Sequence, residues 1–200
     1  MSKPIFWNQA CEELSEKDKV IKLIIKKYNK DYLIESKNPF KTLCRSIISQ
    51  QISTSAAKSI YERFESLSSL IPEKIIKTSD DEFRKIGLSK QKISYINTLS
   101  EKVDSEKIDL VKLKKIEAEK TFKILTDLKG IGPWTANIFL MFYCLNPNIF
   151  PSNDLGLING LKKFYKNSNQ LNTIKNLWDP WCSVGTFYIW RALDGEPLNY

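Results

Sequence analysis

Leu128-Lys129-Gly130-Ile131-Gly132-Pro133-Trp134-Thr135-Ala136 decides how this chain is read. Upstream, Ala118, Phe122, Leu125 and Leu128 recur at helical spacing, so a helix over 117–128 runs into the turn and ends at Gly130. Proline is favoured at the first position of a helix, where its missing N–H costs nothing, so Pro133 opens the next one. The stretch is therefore a helix, a tight turn and a helix. Gly130 and Gly132 are both expected to take positive φ and to let another molecule approach the main chain closely. N–H groups at the turn and the new helix start suit a phosphate. A tight helix–helix connection with no ligand uses the same residues.

Outward from the turn the pattern stays helical. Ser15-Glu16-Lys17-Asp18 reads as a capping box ahead of Val20, Ile21, Ile24, Ile25 and Tyr28. Asn38-Pro39 reads as an N-cap and first helical residue, followed by Phe40, Leu43, Cys44, Ile47 and Ile48 on one face. Ser53 caps a helix carrying Ala56, Ala57, Ile60, Tyr61 and Phe64. Ser79 and Glu82 form a second capping box, Gly87 stops that helix, and Ser89 opens one with Ile93, Ile96 and Leu99. No segment alternates for long enough to form a strand. The expectation is an all-α protein of nine or ten short helices.

Composition narrows the chemistry. The 200 residues contain no histidine, which excludes a Ser-His-Asp triad, a Cys-His pair and any His-ligated metal. The net charge of +8 favours a polyanionic partner. Only four of the 31 basic residues are arginine (Arg45, Arg63, Arg84, Arg191), so a general lysine bias accounts for much of that charge. Cys11, Cys44, Cys144 and Cys182 are too far apart for a zinc ribbon, a C-x-x-C pair or a tight iron–sulfur run, and are expected as buried thiols. No apolar run reaches the ~20 residues of a membrane span, and Met-Ser-Lys-Pro at the N-terminus has no targeting core.

Four blocks together resemble the helix-hairpin-helix superfamily of base-excision DNA glycosylases, nearest its 3-methyladenine DNA glycosylase II subgroup. They are Asn38-Pro39-Phe40 through Ser49-Gln50-Gln51-Ile52-Ser53, the hairpin 128–136, Phe150-Pro151-Ser152-Asn153-Asp154, and Trp178-Asp179-Pro180-Trp181 through Trp190-Arg191. They stand in the family's order and cover about 38–191. The resemblance implies a two-lobed helical fold with the active site in the cleft between lobes. One lobe, 38–145, would hold the wedge and hairpin, and 1–37 with 146–200 would form the other. The β domain that precedes these blocks in that subgroup has no counterpart here, which implies an all-helical version.

By the same resemblance Asp154 is the catalytic carboxylate. Gln51, with Gln50 before it, is the wedge that fills the gap left by a flipped base, and adjacent amides between apolar helices suggest an exposed loop. Trp134, Ile138 and Trp190 line the base pocket. Lys129, Gly130, Ile131, Gly132 and Thr135 hold the DNA backbone. Trp134 occupies the position at which strand-cutting relatives carry a lysine, and an indole cannot form a Schiff base. The implied enzyme is monofunctional and leaves an abasic site. Ile138 replaces the subgroup's tyrosine and Cys182 the family's usual arginine, which bears on substrate range and on a structural or phosphate contact.

The chemistry suits these residues. N-glycosidic hydrolysis passes through an oxocarbenium-like sugar, which a carboxylate stabilises. An alkylated purine such as 3-methyladenine is already cationic and leaves without a general acid, in agreement with a chain lacking histidine. An indole face attracts a cationic base more than a neutral one. Asp154 also reads as a plain N-cap of a helix with Leu155, Leu157, Ile158 and Leu161, and Trp7, Trp178 and Trp181 as core. The implied partner is double-stranded DNA with alkylated bases, bound by a monomer with no membrane contact. No metal, iron–sulfur cluster or other cofactor is implied, although a structural monovalent cation at the hairpin is compatible. The compartment would be the cytoplasm (at the nucleoid) of a prokaryote or the nucleus of a eukaryote. Two rivals remain: a non-catalytic DNA-binding hairpin module, and a glycosylase for uracil or thymine mismatches.

Overall fold

The computed structural model describes residues 3–165 and 171–194. Among these residues all regular structure is helical, in twelve α-helices and one 3₁₀ turn. The excess over nine or ten comes from helices as short as α5 (Pro72–Lys77) and α6 (Asp80–Lys85). Six residues make too few turns for a periodic apolar stripe to show. No described helix is long and apolar enough to cross a membrane.

The chain divides into two compact units at Ser36/Lys37 and Phe139/Leu140. The expected boundaries were 37/38 and 145/146. Residues 140–146 join the first unit through their main chain: Ser36 N–H donates to Phe142 O (2.8 Å), and Asn146 N–H closes the segment on Leu140 O (2.9 Å). Ser183 Oγ then donates to Asn146 O (2.7 Å).

The first unit contains α1 (Trp7–Lys17), α2 (Lys19–Lys27), α10 (Leu155–Phe164), α11 (Leu171–Trp178) and α12 (Cys182–Asp194). Helix α12 packs on the other four and contributes Val184, Phe187, Tyr188, Ile189 and Trp190 to the core. Gly185 and Gly160 are required for this packing. A Cβ on Gly185 would overlap the Trp178 ring, and one on Gly160 would overlap Ile189. Trp7 meets Phe187 edge to face, 5.1 Å between centroids. Trp7, Trp178 and Trp181 are all buried, as expected for core residues.

The Ser15 capping box is not formed. Ser15 Oγ donates back to Cys11 O (2.6 Å) inside α1, and Asp18 caps α2 by accepting from Val20 and Ile21 N–H. Asp18 is buried, and its other oxygen accepts from Tyr165 Oη (2.5 Å) and Trp178 Nε1 (2.9 Å). Four donors compensate this carboxylate for the loss of water. Burial, and next the bond to Asp18, raise the Tyr165 hydroxyl pKa above its usual range.

The second unit, Lys37–Phe139, contains α3 (Pro39–Ser49), α4 (Thr54–Ser68), α5, α6, α7 (Lys90–Asp104), the 3₁₀ turn Lys112–Lys115 and α8 (Ala118–Thr126). It also holds α9 (Pro133–Phe142) as far as Phe139. The local signals here act as read. Asn38 accepts from Lys41 N–H with Pro39 behind it, and Ser53 and Ser89 cap α4 and α7. Ser79 and Glu82 complete a reciprocal capping box, and Gly87 turns the chain with φ +100°. Helix α7 packs on α3, α5 and α6, and α3 on α4.

Candidate active site

In the second unit, α8 and α9 are joined by the hairpin turn. The turn takes positive φ once, at Gly130 (+85°). A side chain at Gly130 would overlap Tyr95 of α7, so glycine is required there for both conformation and space. Gly132 departs from the expectation. Its φ lies outside the left-handed region, and a Cβ built on it meets nothing within 4 Å. Its glycine leaves open ground beside the start of α9. Gly132 O accepts from Ala136 N–H (3.0 Å), Leu128 O from Ile131 N–H (3.0 Å) and Gly130 O from Gln50 Nε2 (3.0 Å).

The other hairpin residues divide by burial. Ile131 and Thr135 are buried, and Thr135 Oγ1 accepts from Gln50 Nε2 (3.1 Å). Lys129 is exposed, with Nζ on Ser94 Oγ (3.0 Å). On α9, Trp134 is half-buried and Ile138, one turn on, is 1% exposed.

Gln50 and Gln51 separate, although the sequence reads them as one exposed loop. Gln51 is exposed and holds φ +59°, while Gln50 is half-buried with its amide turned onto the hairpin. Lys92 of α7, which carried no signal in the sequence, donates to Ile48 O (2.7 Å) at the end of α3. Desolvation lowers its pKa below the usual lysine value.

In the first unit, Asp154 is the N-cap of α10 and is half-buried. Its Oδ1 accepts from Leu157 N–H (2.5 Å) and from Trp190 Nε1 (2.6 Å). Thus the cap that sequence treats as the alternative is present, and the carboxylate is also fixed from α12. Trp190 is 4% exposed. Gly156 makes this approach possible: a Cβ there would stand 3.1 Å from Asp154 Oδ1 and 3.2 Å from Trp190 Cδ1. The N-terminal end of α10 carries partial positive charge, which complements a carboxylate. Arg191, next in α12, pairs with Asp31 (2.7 Å) and stacks on Tyr28 (4.5 Å to the ring centroid). Cys182 is buried, and its thiol donates to Lys175 O (3.4 Å), so it ties α12 to α11. None of the four cysteines forms a disulfide.

The family model of the HhH-GPD superfamily base excision DNA repair proteins matches residues 44–182. The chain is 29% identical over 200 residues to a DNA-3-methyladenine glycosylase of Bacillus subtilis, covering 90% of this chain and 66% of that one. Among solved structures it is similar to a DNA-3-methyladenine glycosidase from Bacillus halodurans, with 33% identity, a TM-score of 0.75, and coverage of 92% and 88%. It is also similar to the Schizosaccharomyces pombe 3-methyladenine DNA glycosylase in complex with abasic DNA, with 25% identity, a TM-score of 0.83, and coverage of 95% and 100%. The chain belongs to the HhH-GPD superfamily of base excision DNA repair proteins.

Proposed function

We propose that the chain is a monofunctional DNA glycosylase that removes cationic alkylated purines, such as 3-methyladenine, from duplex DNA and leaves an abasic site. The observation that carries this reading is the Asp154 carboxylate, held by Trp190 Nε1 and Leu157 N–H at the start of α10. A capping residue alone needs no tryptophan donor from another helix. The relatives' names and the complex of one of them with abasic DNA support the substrate class.

The hairpin binds a phosphate at the open ground beside Gly132. Gln51 enters the duplex as the base swings out, which costs a few kcal/mol. Trp134 offers an indole face that favours a cationic base by about 1–2 kcal/mol when desolvated. The C1′–N bond then breaks, and the base leaves as a neutral purine with the bonding electrons. Asp154 stabilises the positive charge left on the sugar and orients water. The water oxygen bonds to C1′, and its proton passes to the carboxylate or to solvent. No lysine stands at position 134 to attack the sugar instead. Hairpin, wedge and carboxylate belong to one chain, so a monomer is sufficient.

The test is release of free bases from methylated duplex DNA, separated by chromatography. Release of 3-methyladenine with an intact strand is expected. Binding with no base released would leave only a DNA-binding module.

A further inference from the structure

Gln50 stands beside the wedge residue in sequence, but its side chain belongs to the hairpin. One amide nitrogen reaches Gly130 O at 3.0 Å and Thr135 Oγ1 at 3.1 Å, across 80 and 85 residues of chain. We propose that Gln50 is a positioning residue, a strut that sets the Gln51 wedge at a fixed place relative to the phosphate-binding hairpin. This rests on the glycosylase reading above.

Three further contacts make the same connection rigid. Lys92 Nζ holds Ile48 O two residues before Gln50, and satisfies a carbonyl of the last turn of α3. One turn along α7, Tyr95 lies where a Gly130 side chain would be. Ser94 of the same helix meets Lys129 Nζ at 3.0 Å. Helix α7 thus supports the end of α3 and the hairpin together, and Gln50 closes the triangle.

The wedge needs such support. Gln51 holds φ +59°, a left-handed conformation that crowds the Cβ of any residue but glycine. Such a conformation persists where the surroundings over-determine it. Gln50 supplies that constraint from the preceding residue. Because the hairpin grips the backbone and the wedge enters the stack, the distance between them decides whether insertion occurs in register with the grip. Gln50 cannot itself be inserted without giving up both hairpin bonds.

The test is a double-mutant cycle of Gln50→Ala and Gln51→Ala. It reads single-turnover excision and the fluorescence of 2-aminopurine placed beside the lesion, which reports flipping. Each single variant is expected to slow excision about tenfold and to reduce the flipping signal, and the double variant to fall within about twofold of Gln51→Ala. Affinity for undamaged duplex is measured beside it, so that a weakened hairpin grip is separated from a misplaced wedge. Gln50→Glu guards against a folding defect. It keeps the side-chain size but faces Gly130 O with an acceptor, and should behave as Gln50→Ala while a helical spectrum and a cooperative melt show that the fold is retained. If Gln51→Ala excises like wild type, the wedge reading itself is wrong. If Gln51→Ala is slow and the two losses multiply in the double variant, Gln50 acts independently and the strut is overturned. Unimpaired flipping by Gln50→Ala overturns it as well.

Discussion

Trp190 Nε1 lies 2.6 Å from Asp154 Oδ1, so α12 aims the carboxylate that caps α10. The bond has a charged acceptor and a donor that is 4% exposed, conditions that make a hydrogen bond short and strong. It makes Trp190 the orienting partner of the Asp154 carboxylate.

Trp190→Phe should therefore slow excision more than it weakens DNA binding. It keeps an aromatic ring and removes only the N–H donor and part of the indole. A hydrogen bond to a charged group contributes about 1.5–3 kcal/mol, so the single-turnover rate should fall roughly 10- to 100-fold. Single-turnover rates beside thermal melting separate this from a packing loss. An unchanged rate would remove Trp190 from the mechanism.

The two hairpin glycines should fail in different ways. Gly130→Ala combines positive φ with overlap on Tyr95 and should lower stability by about 1–3 kcal/mol. Gly132→Val meets open space and should leave melting unchanged, while its side chain takes the ground a phosphate needs. Affinity should then fall by similar factors for damaged and undamaged duplexes, because phosphate contacts do not specify sequence. The salt slope should stay nearly constant, because no cationic side chain is lost. Loss confined to the damaged duplex would place the hairpin in the lesion pocket instead.

These sites show what the sequence reveals and what it hides. Caps are local chemistry, so Asn38-Pro39, Ser53, Ser79 with Glu82, and Ser89 act as read. Ser15 misleads because a serine bonding back to its own helix and a serine capping the next one look alike in sequence. Gly132 misleads because glycine also serves where nothing but space is needed. Gln50 and Gln51 are the same residue type side by side, and only partners 80 residues away tell them apart. Asp154 is visible through the resemblance, but Trp190 as its donor and Gly156 as the clearance between them are tertiary facts with no local trace.

With an indole at position 134, borohydride should trap no covalent adduct between protein and DNA. The product strand should stay intact until alkali cleaves the abasic site. Gel electrophoresis with and without borohydride checks both. Efficient trapping would mean that another amine attacks the sugar.

Two thiols should be inert in the folded protein. Burial pushes the Cys182 thiol up to about 12 and raises that of Cys44 from its ordinary value. Both should resist iodoacetamide at pH 8 and label after denaturation, as mass spectrometry can read. Unfolding frees both thiols to ionise, so their contribution to stability is complete below the unfolded value of about 9 and is lost progressively as pH rises from there through the raised folded values, about 12 for Cys182. Equal labelling of native and denatured protein at pH 8 would contradict their burial.

Asp154→Asn separates the two roles of Asp154. Asparagine caps a helix about as well as aspartate, so α10 should start unchanged and the melting temperature should hold. It carries no negative charge for the sugar cation. Base release from methylated duplex should fall by at least about a hundredfold, as when a preorganised electrostatic group is removed, while binding to abasic-site DNA remains. Near-normal release of 3-methyladenine by a folded, DNA-binding Asp154→Asn would reduce Asp154 to a helix cap and contradict the account at its centre.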